Sequence, residues 1–66
     1  MENIGYKYYD GHYTHTVLVT VEKVKTYQGH DIYKDKDGWY YVQDNYGEWQ
    51  YFALLREAQL FIRMIY

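Results

Sequence analysis

The sequence predicts an α+β domain: an antiparallel β-meander of three to five strands with one C-terminal α-helix packed on one face. Three observations carry that prediction. Tyr51, Leu54, Leu55, Ala58, Phe61, Ile62 and Ile65 recur at i, i+3, i+4, i+7, i+10, i+11 and i+14, one stripe of an amphipathic helix. The residues ahead of that stripe are Tyr-, Val- and Gly-rich and read as short strands separated by turn residues. The chain is 66 residues long with no Pro, linker or low-complexity tract, so residues 1–66 form a single domain.

The first strand runs from Ile4 to Tyr9. Asp10-Gly11 follows it, a dipeptide that suits a two-residue type I′ hairpin because both central positions need φ > 0. The return strand spans His12 to about Val24. Val17, Val19 and Val21 share a buried face there, while Thr14, Thr16, Leu18 and Thr20 share a solvated one. Lys23 and Lys25 break the Val face, which predicts a sheet edge or a bulge after Val21. Gln28-Gly29 marks the next irregularity, and a strand from His30 to Lys34 follows with Ile32 at its centre. Asp35 to Gly38 is a turn, Trp39 to Val42 a strand, and Asp44 to Gly47 a loop. Glu48 to Gln50 adds a short strand ahead of the helix. No internal repeat is evident.

Composition excludes several functions. The chain has no Cys, which removes disulfides and thiolate metal sites, and no Ser, which leaves Thr as the one small nucleophile. Its glycines are isolated, so no phosphate-cradling loop exists. A core this small leaves little room for a deep pocket. The reading is a protein that is not an enzyme and uses no cofactor or metal. The net charge of −2 carries no basic excess, so nucleic acid is a poor partner. The first residues lack a secretory pattern, and no apolar run approaches the ~20 residues that span a bilayer. A cytoplasmic protein without membrane contact is expected.

The pattern Gly29-x-x-Ile32, Asp37-Gly38-Trp39-Tyr40, then Phe52-x-x-Leu55-x-Glu57-Ala58-x-x-Phe61-Ile62, resembles small meander-plus-helix domains of bacterial, phage and mobile-element proteins. The resemblance covers the C-terminal half, from Gly29 onward, and consists of core and turn positions. Such domains usually carry Ser where this chain has Leu54, capping the helix and pairing with Glu57. Leu54 cannot cap, which moves the expected helix start earlier, near Gln50. The resemblance implies a fold and brings no activity with it.

Two polar clusters invite a metal. Asp35, Asp37 and Gly38 match positions 3, 5 and 6 of an EF-hand loop, but Tyr33 then occupies position 1 and Asp44 position 12, and no helices flank the loop. A hairpin turn accounts for the same residues. His12 and His15 lie near Asp10, but on a strand they point to opposite faces.

The aromatic content is the unusual feature, with 11 Tyr, two Trp and two Phe. With one sheet face under the helix, the other presents rings to solvent or to a partner. Tyr6, Tyr8, Trp39, Tyr40 and Tyr41 are the candidate partner surface, since Tyr and Trp dominate binding hot spots. Ala53, Leu60 and Met64 widen the apolar arc of the helix and form a candidate homodimer contact. The leading expectation is a small protein-binding or regulatory module, an accessory protein of phage or mobile-element type that inhibits a host protein. The competing expectations are single-stranded nucleic-acid binding by base stacking on the rings, and a structural homodimer subunit.

Overall fold

A computed structural model describes residues 1–66. Five strands, β1 (Glu2–Tyr9), β2 (Thr14–Tyr27), β3 (His30–Asp35), β4 (Tyr40–Gln43) and β5 (Trp49–Phe52), precede one helix, α1 (Leu55–Ile65). The strands form one antiparallel sheet in the order β1-β2-β3-β4-β5, a meander in which every sequence neighbour is a spatial neighbour. This is the expected α+β architecture.

The sheet is strongly curled. β2 pairs with β1 over Thr14–Val21 and with β3 over Val21–Tyr27, and a bulge between Lys23 and Lys25 separates the two halves. The extra residue inverts the pleat. Val19 and Val21 pack on one face of the sheet, whereas Tyr27, at the same parity, packs on the other. Two small cores result. Ile32, Val42, Ala58 and Ile62 lie between the sheet and α1, with Tyr27, Tyr40, Phe52, Leu55 and Phe61 packed around them. Ile4, Val21 and Tyr41 form the second core on the opposite face, joined by Tyr6, Val19, Tyr33 and Trp49. The β1–β2 hairpin therefore folds back over the face that the helix leaves open. It brings the first strand against the last: Tyr6 and Tyr51 lie 5.0 Å apart, and Lys7 pairs with Glu48 at 3.7 Å.

Several boundaries differ from expectation. Tyr51 belongs to β5, not to the helix. Its place in the i, i+3, i+4 series is a coincidence of a strand followed by the short Ala53-Leu54 turn. The helix starts at Leu55 with Leu54 as N-cap, not near Gln50. Leu54 has no side-chain acceptor, so only the reciprocal half of a capping box forms: Glu57 Oε1 accepts the Leu54 N–H at 3.1 Å.

Asp10-Gly11 does not make a two-residue turn, since of the pair only Gly11 has positive φ. Asp10–Tyr13 forms a four-residue loop in which Asp10 Oδ1 accepts the N–H groups of His12 and Tyr13, each at 2.8 Å. That aspartate competes for the backbone and lengthens the loop. The turn with two positive φ angles is Gln28-Gly29, at +51° and +82°. A Cβ at Gly29 meets nothing within 4 Å, so its cost there is backbone strain alone. Gly29→Ala is expected to lose about 1 kcal/mol in urea unfolding; an unchanged midpoint would show that the turn relaxes freely.

Candidate functional site

A repeat appears in space that was not evident in sequence. Asp35 and Asp44 open two successive hairpin loops with the same geometry. The Asp35 N–H donates to Trp39 O at 3.0 Å and that of Asp44 to Glu48 O at 2.8 Å. Gly38 N–H donates to Asp35 O, and Gly47 N–H to Asp44 O, both glycines having positive φ. Asp35 Oδ1 accepts the N–H groups of Asp37 and Trp39 at 2.9 and 3.0 Å, and Asp44 Oδ1 those of Tyr46 and Glu48, both at 2.9 Å. The second carboxylate oxygen reaches six residues on, to the Tyr41 hydroxyl at 2.7 Å and the Gln50 amide at 3.1 Å. Spacing of Asp-x-x-Gly nine residues apart carries this signal.

The Asp35 loop differs from its counterpart in burial. Asp35 is only 8% exposed, and Tyr41 3%. Asp35 is therefore a buried clamp at the start of the turn expected from the sequence. Burial pushes its carboxyl up, but the Tyr41 hydroxyl and the Trp39, Asp37 and Gly38 N–H groups outweigh that and hold it below the usual carboxylate range. Burial, the bond to Asp35 and the Asp35 charge push the Tyr41 phenol up. This pair is a structural lock. Both carboxylate oxygens of Asp35 have donors, and no buried side-chain polar atom in the molecule lacks a partner.

The lock holds a set of rings. Tyr41 lies beneath Tyr6 and Tyr51, with centroids 5.8 and 6.4 Å away, and Tyr6 and Tyr51 touch at 5.0 Å. Trp39 meets Tyr51 edge-on, at 5.5 Å and 82°. Trp39 and Tyr51 are 41% and 46% exposed, so each shows part of its ring while the rest is wedged in place. Rings packed edge-on and tilted in this way gain contact energy beyond burial and lose rotamer freedom.

The five rings expected to share one surface divide among several places. Trp39 is exposed on the cluster and Tyr6 is half-buried at its centre. Tyr41 is its buried floor rather than a contact residue. Tyr40 points to the opposite face, against the helix core, with Lys34 Nζ 5.3 Å from its ring. Tyr8 is exposed one pleat further along β1, where it stacks on His15 at 5.0 Å, and His15 in turn bonds Asp10. Tyr51, which the helix periodicity had claimed, takes the place that Tyr40 was expected to fill. Alternation of Trp49 and Tyr51 after Gly47 is the signal that identifies it as a strand residue.

Ala53, Leu60 and Met64 are all exposed; Leu60 and Met64 lie one turn apart on α1, and Ala53 sits in the turn ahead of it. The metal candidates resolve into hydrogen bonds. His15 bonds Asp10, His30 stacks on Tyr66 at 3.7 Å, and His12 contributes only a backbone N–H to Asp10. No group of three or more His, Asp or Glu side chains is placed to hold a metal ion.

None of three surface notches is lined by Tyr6, Trp39 or Tyr51. Lys7, the basic residue beside Tyr6 in β1, is paired with Glu48. No helix is long and apolar enough to cross a membrane. No protein-family model, curated protein or solved structure matches the chain.

Proposed function

We propose that this protein is a small non-enzymatic docking module that binds another protein through the face formed by Trp39, Tyr51 and Tyr6, with Tyr41 as its floor. The observation that carries the reading is the pre-organised aromatic cluster: two half-exposed rings held by ring contacts over a tyrosine that Asp35 clamps. Rigid aromatic anchors of this kind supply contact area at small entropic cost, and they concentrate binding energy in a few residues. A protein partner suits the face because the basic residue next to it is already neutralised by Glu48. A strand of nucleic acid needs free cations along its backbone. Such a module acts by occupying its partner, as an accessory inhibitor of a host protein would.

The test compares affinity capture by the wild type with capture by Trp39→Ala and Tyr51→Ala, each checked for an unchanged circular dichroism spectrum. Truncating either anchor is expected to weaken the captured complex about 30-fold, the equivalent of ~2 kcal/mol. A partner retained equally by both variants places the docking surface elsewhere. A low-salt mobility shift with single-stranded oligonucleotides that Trp39→Ala abolishes replaces protein docking by base stacking.

A further inference from the structure

The sheet has an unpaired edge in its middle. β3 leaves β2 after Val21, so the Thr14–Thr20 segment of β2 is bonded to β1 on one side and to no strand on the other. The backbone hydrogen bonds made outside the helix and ladders involve none of these residues. An open notch of about 610 Å³ lies at the end of this edge, between Leu18–Glu22 and the Lys34–Asp37 turn.

Sheet edges are usually blunted by charge, bulges or brevity. The other free edges here are. β5 has four residues and runs into the helix turn, and β1 carries Glu2 and Lys7 and is drawn against β5. The Glu22–Tyr27 part of β2, unpaired on its β1 side, carries Glu22, Lys23, Lys25 and the bulge, and the His30–Ile32 part of β3 carries Asp31. The Thr-His-Thr-Val-Leu-Val-Thr segment of β2 contains no Asp, Glu, Lys, Arg, Pro or Gly, and it is rich in β-branched residues. Leu18 is 78% exposed on its outer face, and Val17 and Val19 on the inner face are only half-buried for want of a lateral neighbour.

The geometry points to a second copy of this chain as the partner of that edge, the two Thr14–Thr20 segments pairing antiparallel about a two-fold axis at Val17. This register uses the whole free segment and stops where β3 begins. It sets Thr14 opposite Thr20, His15 opposite Val19 and Thr16 opposite Leu18, with Val17 facing its own copy. The inner valines then gain a lateral neighbour, and the two Leu18 side chains approach as a diagonal cross-strand pair. The segment is self-complementary: it carries no Asp, Glu, Lys or Arg to repel its copy, and its apolar and hydroxyl-bearing faces match under the two-fold operation. Eight of 66 residues are buried in the monomer, so a sheet continued through β2 also enlarges a thin core. This contact is distinct from the helix flank at Leu60 and Met64.

Equilibrium sedimentation of the full chain tests it. The wild type is expected to rise with concentration from its monomer mass of 8.2 kDa to twice that value. Leu18→Lys and, independently, Thr16→Lys place like charges at the seam and are expected to abolish the rise while keeping the monomer's circular dichroism spectrum. Leu60→Glu and Met64→Glu are expected to leave it unchanged. The chain has no other thiol, so Val17→Cys is expected to oxidise to a covalent dimer, because opposed Cα atoms at about 4.5–5.5 Å suit a disulfide. Thr26→Cys, outside the Thr14–Thr20 segment, should form no covalent dimer. A wild type that remains at monomer mass at every concentration overturns the proposal. So does a dimer that survives both lysine variants, or equal cross-linking through Thr26→Cys.

Discussion

Asp35→Ala is expected to destabilise the fold by about 3 kcal/mol, the largest polar effect available in this molecule. The native stability of a 66-residue domain is of the order of 3–10 kcal/mol, so the variant approaches the unfolding threshold. The magnitude follows from what is left behind. Removing the carboxylate strands the Asp37 and Trp39 N–H groups and the Tyr41 hydroxyl at once, and Tyr41 is buried where water does not replace the lost acceptor. Asp35→Asn keeps one carbonyl acceptor and should cost roughly half as much. Asp44→Ala removes the same set of bonds from an exposed loop, where water substitutes, and its effect should be far smaller. Urea unfolding at constant m-value measures all three. Equal losses for Asp35→Ala and Asp44→Ala would mean that the burial of the clamp contributes nothing.

The same residue sets the pH response. Asp35, Asp10 and Asp44 all have carboxyl groups held below their usual range, Asp10 chiefly by the Tyr13 N–H and Asp44 by the Tyr46 and Glu48 N–H groups against the cost of burial. A depressed folded-state pKa contributes stability that is present above the unfolded value, near 3.9, and is lost as pH falls through the lower folded one. Stability should thus decline below about pH 4, and Asp35→Asn should flatten that decline. Tyr41 and Tyr33 shift the other way, Tyr33 through burial and the charges of Glu2 and Asp31. Their contribution is full below about pH 10 and is lost as pH rises above it.

Ile62→Ala should cost a similar ~3 kcal/mol for an apolar reason. Ile62 is fully buried together with Ile32, Val42 and Ala58, and this group is the buried centre of the interface between α1 and the sheet. Truncation leaves a cavity inside this cluster, around which Tyr27, Tyr40, Phe52, Leu55 and Phe61 pack. Ile65→Ala, at a half-buried position near the helix end, should cost about 1 kcal/mol. Thermal unfolding orders the two; a smaller loss for Ile62 than for Ile65 would show that the helix is only loosely docked.

The parts of this fold legible in sequence are those controlled by neighbours along the chain. Val17, Val19 and Val21 alternate with Thr and Leu and do face inward. The run from Leu54 to Ile65 keeps the helical period, and the short Gly-containing connections impose a meander. The local pattern is ambiguous where two periods overlap. Tyr51 satisfies both a helical spacing toward Leu54 and Leu55 and a strand spacing from Trp49, and its pairing with Tyr41 settles it in favour of the strand.

The candidate site was legible in composition and misplaced in space. The excess of aromatic residues pointed to a ring-bearing surface, but which rings reach solvent depends on long-range closure. The bulge after Lys23 inverts the pleat of β2, folds the β1–β2 hairpin over the helix-free face, and turns Tyr41 from a surface residue into a floor. Sequence by itself determined the antiparallel meander, the helical stripe and the absence of thiol and serine chemistry, because each follows from residue type and local period. Only the tertiary structure decided the burial of Asp35 against Tyr41, the exposure of Trp39 with Tyr51, and the open edge at Thr14–Thr20. Each of these depends on how far one strand extends past another, a relation between segments that no local pattern encodes.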